Sequence, residues 1–139
     1  MTPRVLSSEN MSVASEDDVV LARRRVRMLA EMLGFDQFTI AAITTATSEL
    51  CRNILVHAEK GTALVEQIEN GSRTGIRAEF RDAGPGISDI DRVLAGGYST
   101  AKSLGLGVSG SRRLVDEFRV ETVVGHGTAI TVVKWKRRT

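Results

Sequence analysis

Four short segments, in fixed order, carry the residue types that could do chemistry. They are Glu49-x-x-x-Asn53, Asp82-x-Gly84-x-Gly86, Gly105-x-Gly107-x-x-Gly110 and Gly125-His126-Gly127-Thr128. Glu49 and Asn53 stand four residues apart, so on a helix they share a face. A neutral amide oxygen suits Mg²⁺, a hard cation that keeps several waters and uses few protein ligands. A carboxylate one turn away could take a proton from an attacking hydroxyl or water. Asp82 accepts hydrogen bonds and could fix the exocyclic amine of adenine, while glycines beside it let a flat base approach the backbone. Glycines where a helix begins expose amides and a positive dipole end to phosphate. Thr128 becomes a candidate hydroxyl near the base only in this company.

Each segment alone has an ordinary explanation. A Glu/Asn pair can be a polar helix edge, Asp-x-Gly-Pro-Gly is good turn chemistry, and Gly-His-Gly-Thr fits a hairpin turn. His57 extends the Glu49–Asn53 edge, and a lone histidine there reads as a structural hydrogen-bonder. The literal G-x-G-x-x-G is not a dinucleotide fingerprint, because Tyr98–Leu104 is no buried strand and too little chain follows for a Rossmann half. Gly96-x-x-x-x-Ala101-Lys102-Ser103 misses a P-loop, with alanine at the second glycine and a helix before it.

The elements that must position these residues follow from periodicity. Residues 1–10 are serine-rich and expected to be a flexible terminus, with one domain over 11–139. Ser15-x-x-Asp18 reads as a helix cap, followed by Val19, Ala22, Val26, Leu29 and Leu33 at helical spacing. Gly34 ends that helix and Asp36 starts a second, whose stripe is Ile40, Ile43, Thr47, Leu50 and Ile54. From Gly61 the period becomes two, and Asn70-Gly71 signals a hairpin turn. A short helix is expected at about 88–95, a small, polar, mobile stretch at 96–104, a helix at about 107–117, and strands near 118–124 and 128–135. The order implies an α+β, two-layer sandwich with helices on one face of a mostly antiparallel sheet.

Bulk composition narrows the class. At 139 residues with 26% charged and 42% hydrophobic residues, the chain suits one globular core. The net charge is only +2, and its single Trp and single Tyr offer no aromatic interleaving to stack bases. Arg23-Arg24-Arg25 and Lys134-x-Lys136-Arg137-Arg138 therefore read as a solvated helix face and tail, with no nucleic-acid partner. One cysteine, Cys51, fits a reducing compartment. No apolar run approaches the roughly 20 residues of a membrane span, and the first residues open no signal peptide. A cytoplasmic protein without membrane contact is expected.

Taken in order, the motifs resemble those of the GHKL, or Bergerat-fold, ATPases. Glu49-x-x-x-Asn53 resembles their N box, Asp82-x-Gly84-x-Gly86 the first glycine box, Gly105-Leu106-Gly107 the second and Gly127-Thr128 the last. Glu49-Leu50-Cys51-Arg52-Asn53-Ile54, Tyr98-Ser99-Thr100, Arg113 to Phe118 and Val133-Lys134-Trp135 are similar to the RsbT-like branch of the anti-sigma-factor serine kinases. That resemblance implies a Bergerat fold with ATP and Mg²⁺ as cofactors. It implies Glu49 as general base, Asn53 as metal ligand, and Asp82 reading adenine beside Gly84, Gly86 and Thr128. Leu104, Gly105, Leu106 and Gly107 would wrap the phosphates, with Thr100 and Lys102 in a lid. The implied substrate is a STAS-domain antagonist, with a PP2C-type phosphatase or a sigma factor as a further partner. Two departures stand out: Ser103 occupies the first position of the second glycine box, and Asn53-x-x-x-His57-Ala58 is more typical of the anti-sigma (RsbW, SpoIIAB) branch.

Overall fold

A computed structural model describes residues 2–87 and 103–137, with the backbone alone for 103–107. In chain order the elements are β1 (Arg4–Val13), α1 (Glu16–Met32), α2 (Gln37–Ala58), β2 (Gly61–Asn70), β3 (Arg73–Asp82), α3 (Ser103–Leu114), β4 (Glu117–Val123) and β5 (Gly127–Trp135). The five strands form one sheet in the order β1-β2-β3-β5-β4. Every pairing in it is antiparallel.

Local chemistry sets the helix boundaries. The Ser15 side chain accepts from the Asp18 N–H at 3.2 Å, and the Asp18 carboxylate accepts from the Ala14 N–H at 2.8 Å. This reciprocal cap satisfies two otherwise orphaned amides. Val19, Ala22, Val26 and Ala30 form the fully buried stripe of α1, with Leu29 and Leu33 at its margin. Gly34 leaves the helix at φ +78°, and the Asp36 carboxylate caps α2 by accepting from the Thr39 N–H at 2.7 Å.

Helix α2 packs against both α1 and α3. That is why its buried arc is wide, running from Thr39 through Ile43, Leu50 and Cys51 to Asn53 and Ile54. Ile76, Ala78 and Phe80 of β3 bury against the same core, together with Ile130 and Val132 of β5 and Val108 of α3. On the opposite sheet face Ile68, Val133 and Trp135 form a smaller cluster.

Three expectations change. Residues 4–10, expected to be loose, form most of β1, which pairs with β2 along its length. Only Val13 of that strand is fully buried, so backbone hydrogen bonds rather than side-chain burial hold it. Helix α3 begins at Ser103, about four residues earlier than expected, so Gly105 and Gly107 lie inside its first two turns. The hairpin turn between β2 and β3 is Gly71-Ser72, with Gly71 at φ +63°. The helix expected at 88–95 and nearly all of the expected mobile stretch at 96–104 lie outside the described residues.

Candidate functional site

Helix α2, the loop after β3 and the turn between β4 and β5 meet at one place, and glycines make the meeting possible. A Cβ on Gly84 would stand 2.7 Å from the Ala58 Cβ, so the loop lies directly against the end of α2. A Cβ on Gly86 would stand 2.6 Å from the Val123 carbonyl oxygen. One on Gly127 would stand 2.2 Å from the Asp82 carbonyl oxygen. The Gly125 N–H donates to the Pro85 carbonyl at 2.7 Å. The loop 82–86 is thus clasped between a helix end and a hairpin.

Gly127 is the tightest of these positions, and it combines close backbone approach with φ +135°. Gly127→Ala is expected to cost roughly 1–3 kcal/mol from backbone conformation alone. A thermal melt should show Tm lowered by on the order of 5–10 °C, and an unchanged Tm would contradict the clasp.

Asp82 is held in place locally, its Oδ1 accepting from the Gly84 N–H at 2.9 Å. Across the sheet Asp82 is in register with Thr128. The Thr128 and Thr122 hydroxyls lie 3.0 Å apart, and Thr122 Oγ1 also accepts from the Ile87 N–H at 2.8 Å. Thr122 therefore ties the loop to β4 and β5. Motif spacing does not reveal it; its only sequence signal is the alternation Phe118, Val120, Thr122 along β4.

Helix α2 supplies the other wall. Asn53 is 6% exposed, and its Oδ1 is buried with no hydrogen-bond partner among the described residues. A bare carboxamide oxygen in a buried site is costly unless something completes it. A hard cation fits that atom. One turn earlier, Glu49 has a side chain 40% exposed, and among the described residues its one charge neighbour is Arg52 at 4.0 Å. Cys51 between them belongs to the core: burial pushes its thiol up to about 12, so it is no nucleophile.

His57, expected as a structural hydrogen-bonder, buries its Nε2 without a partner among the described residues. Burial lowers its pKa, partly opposed by the nearby Asp82 carboxylate. A histidine with a folded pKa below its ordinary 6.5 contributes stability above that value, lost as pH falls through the folded pKa. Between about pH 7.5 and about pH 5 the Tm of the native chain should fall more steeply than that of His57→Gln. The opposite order would show that His57 is not held neutral by burial.

Of the remaining candidates, Leu104, Gly105 and Leu106 lie in the first turn of α3, whose four leading amides have no partner within the helix. Gly107 follows them. Thr100 and Lys102 lie outside the described residues. A cavity of about 220 Å³ touches Asp82 and Thr128, but Arg81, Glu121 and Ala129 line it from the sheet face away from α2. It includes neither Glu49 nor Asn53, so it is not the site assembled above.

An α/β sandwich that lays an acid-and-glycine loop against the end of a carboxamide-bearing helix is the architecture of the GHKL ATP-binding domains, and that is the class this fold defines. The chain belongs to the histidine kinase-like ATPase domain family, whose model matches residues 13–134. It is 44% identical over 125 residues to a Bacillus subtilis (strain 168) protein named serine/threonine-protein kinase RsbT, covering 90% of this chain and 94% of that one. It is 29% identical over 120 residues to an anti-sigma F factor of Thermoanaerobacter sp. (strain X514), covering 82% of each.

Among solved structures, the RsbU and RsbW domains of a Mycobacterium tuberculosis protein superpose with a TM-score of 0.67 at 19% identity. That match covers 96% of this chain but only 34% of the other. The SiaB–SiaC complex of Pseudomonas aeruginosa gives a TM-score of 0.55 at 12% identity, covering 95% and 91%. Both likenesses concern the fold. No helix among the described residues is long and apolar enough to cross a membrane.

Proposed function

We propose that this chain is an ATP- and Mg²⁺-dependent serine/threonine protein kinase that phosphorylates a STAS-domain antagonist in a partner-switching pathway. On release from that antagonist it activates a PP2C-type phosphatase, and it works in the cytoplasm. The observation that carries the reading is the bare, buried Asn53 Oδ1 one helical turn from the accessible Glu49 carboxylate, beside the clasped Asp82 loop. The similarity to a protein named as a serine/threonine kinase supports the reaction class.

In this reading the Asp82 carboxylate, with Oδ1 anchored on the Gly84 N–H, accepts from the adenine amine. Gly84 and Gly86 admit the ring, and Thr128 contributes a hydroxyl oriented by Thr122. The first amides of α3, around Leu104 to Gly107, face the phosphates, where an anion is favoured by the helix dipole. Thr100 and Lys102, outside the described residues, are assigned to the nucleotide by the family resemblance alone. Asn53 Oδ1 holds Mg²⁺, which when bound neutralises phosphate charge. Glu49 takes the proton of the acceptor hydroxyl as its oxygen bonds to the γ-phosphorus. The bond from that phosphorus to the β–γ bridging oxygen breaks, and ADP leaves.

The test is partner exchange. A STAS-domain protein from the same organism should co-elute with it in ADP, and ATP with Mg²⁺ should dissolve the complex as the partner is phosphorylated. A complex indifferent to ATP would remove the switching claim.

A second reading is an anti-sigma factor that sequesters a sigma factor directly and phosphorylates its antagonist only to reset. The similarity to anti-sigma F factors and the Asn53-x-x-x-His57-Ala58 pattern favour it. Recovery of a sigma factor on the immobilised chain would decide for this reading.

A further inference from the structure

We infer that the Arg52 guanidinium binds the transferring γ-phosphoryl group and is a further catalytic residue of this site. The inference rests on the kinase reading and adds the group that meets the moving charge. Arg52 follows Glu49 by three positions on α2 and directly precedes Asn53. On a helix of 3.6 residues per turn it lies about 60° to one side of Glu49, and Asn53 about 40° to the other. Glu49 thus stands between a buried carboxamide and an accessible cation. Arg52 and Glu49 line one cavity of about 370 Å³.

The ion pairs of Arg52 leave its donors unspent. Its Nε stands 3.8 Å from Glu16 Oε2 and its Nη1 stands 4.0 Å from Glu49 Oε1, both beyond hydrogen-bond distance. These are the two longest ion pairs among the described residues. Elsewhere arginine closes on its partner, as Arg77 does on Glu66 at 2.8 Å and Arg25 on Glu9 at 3.0 Å. An exposed pair as loose as that of Arg52 with Glu49 adds little to stability, so folding does not call for an arginine here. The side chain is 43% exposed and open to a ligand.

The reaction calls for such a group. The acceptor oxygen bonds to the γ-phosphorus, the bond to the β–γ bridging oxygen breaks, and charge spreads over three equatorial oxygens. Glu49 beside them is itself an anion and repels that charge. A guanidinium within 4.0 Å of Glu49 offsets the repulsion, and its planar fork matches two phosphoryl oxygens. Arg52 gives up no proton: two of its N–H groups donate, while the proton of the acceptor goes to Glu49.

The test reads the binding of a transition-state analogue as well as transfer. ADP with Mg²⁺ and aluminium fluoride should bind the native chain more tightly than ADP with Mg²⁺ alone. Arg52→Gln should weaken the analogue by about tenfold or more, with ADP affinity and Tm unchanged. The same loss should appear when Arg52→Gln is made in the Glu49→Ala chain, and Arg52→Lys should fall between native and Arg52→Gln. Single-turnover transfer to a STAS-domain protein from the same organism should drop by about 10²–10³-fold with Arg52→Gln. The concentration of that protein giving half-maximal rate should not move. Analogue affinity indifferent to Arg52→Gln, or a native chain that does not prefer the analogue, would overturn the inference. So would a loss that vanishes in the Glu49→Ala chain, which would make Arg52 a positioning residue acting through the carboxylate. A shifted half-saturation with the maximal rate intact would equally overturn it and make Arg52 a docking residue. ATP binding and transfer by the native chain are measured first. Absence of either ends the kinase reading, whereas native transfer that Arg52→Gln leaves untouched ends this inference alone.

Discussion

Asn53→Ala is expected to abolish Mg²⁺-dependent ATP binding and, with it, phosphotransfer. The carboxamide oxygen is buried and bare among the described residues, so the side chain serves the folded protein poorly unless a ligand completes it. Even residues that only support a metal ligand cost about 10–100-fold in affinity when removed. Loss of the ligand oxygen itself should lie at or beyond the upper end. Calorimetric titration of ATP with and without Mg²⁺ measures this directly.

The same substitution makes an unusual stability prediction. Truncating an unpaired buried polar group removes a desolvation penalty of about 1–3 kcal/mol. The Tm of the ligand-free variant should therefore be no lower than that of the native chain. A clear drop in Tm with ATP binding retained would make Asn53 a structural residue and remove it from the site.

Glu49→Ala separates binding from chemistry. Its carboxylate is accessible and loosely neighboured, so its loss should leave folding and ATP affinity nearly unchanged. Phosphotransfer should fall by about 10²–10⁴-fold, the usual contribution of a general base. Glu49→Gln should behave likewise, because an amide cannot take the proton. Single-turnover transfer at saturating ATP is the measurement. Full transfer by either variant would end the general-base assignment.

Much of the fold was legible because each decision was local. Ser15 and Asp36 sit at helix starts as their side-chain chemistry demands. Ile76, Ala78 and Phe80 bury as the alternation of β3 requires. Strand β1 was not legible, because its composition is polar and its partner, β2, lies nearly fifty residues away in the chain. The onset of α3 was also obscured, since glycines at 105 and 107 suggest a helix that starts after them, whereas the helix runs through both.

The site divides in the same way. Glu49 and Asn53 could be paired from spacing alone, since one helix carries both. The contact of Gly84 with Ala58, the clasp of Gly127 on Asp82 and the link through Thr122 depend on strand register and helix docking. Arg23 read as part of a solvated face with Arg24 and Arg25, and only the packing of α1 on α2 brings it to one groove with Ser48 and Glu49.

The most direct measurement is transfer of label from γ-labelled ATP, with Mg²⁺, to a STAS-domain protein from the same organism. Acid-stable label on a serine or threonine of that partner, lost with Asn53→Ala and strongly reduced with Glu49→Ala, is the predicted result. Tight ATP binding by the native chain with no label on the partner would contradict the kinase account and leave a nucleotide-gated binding protein.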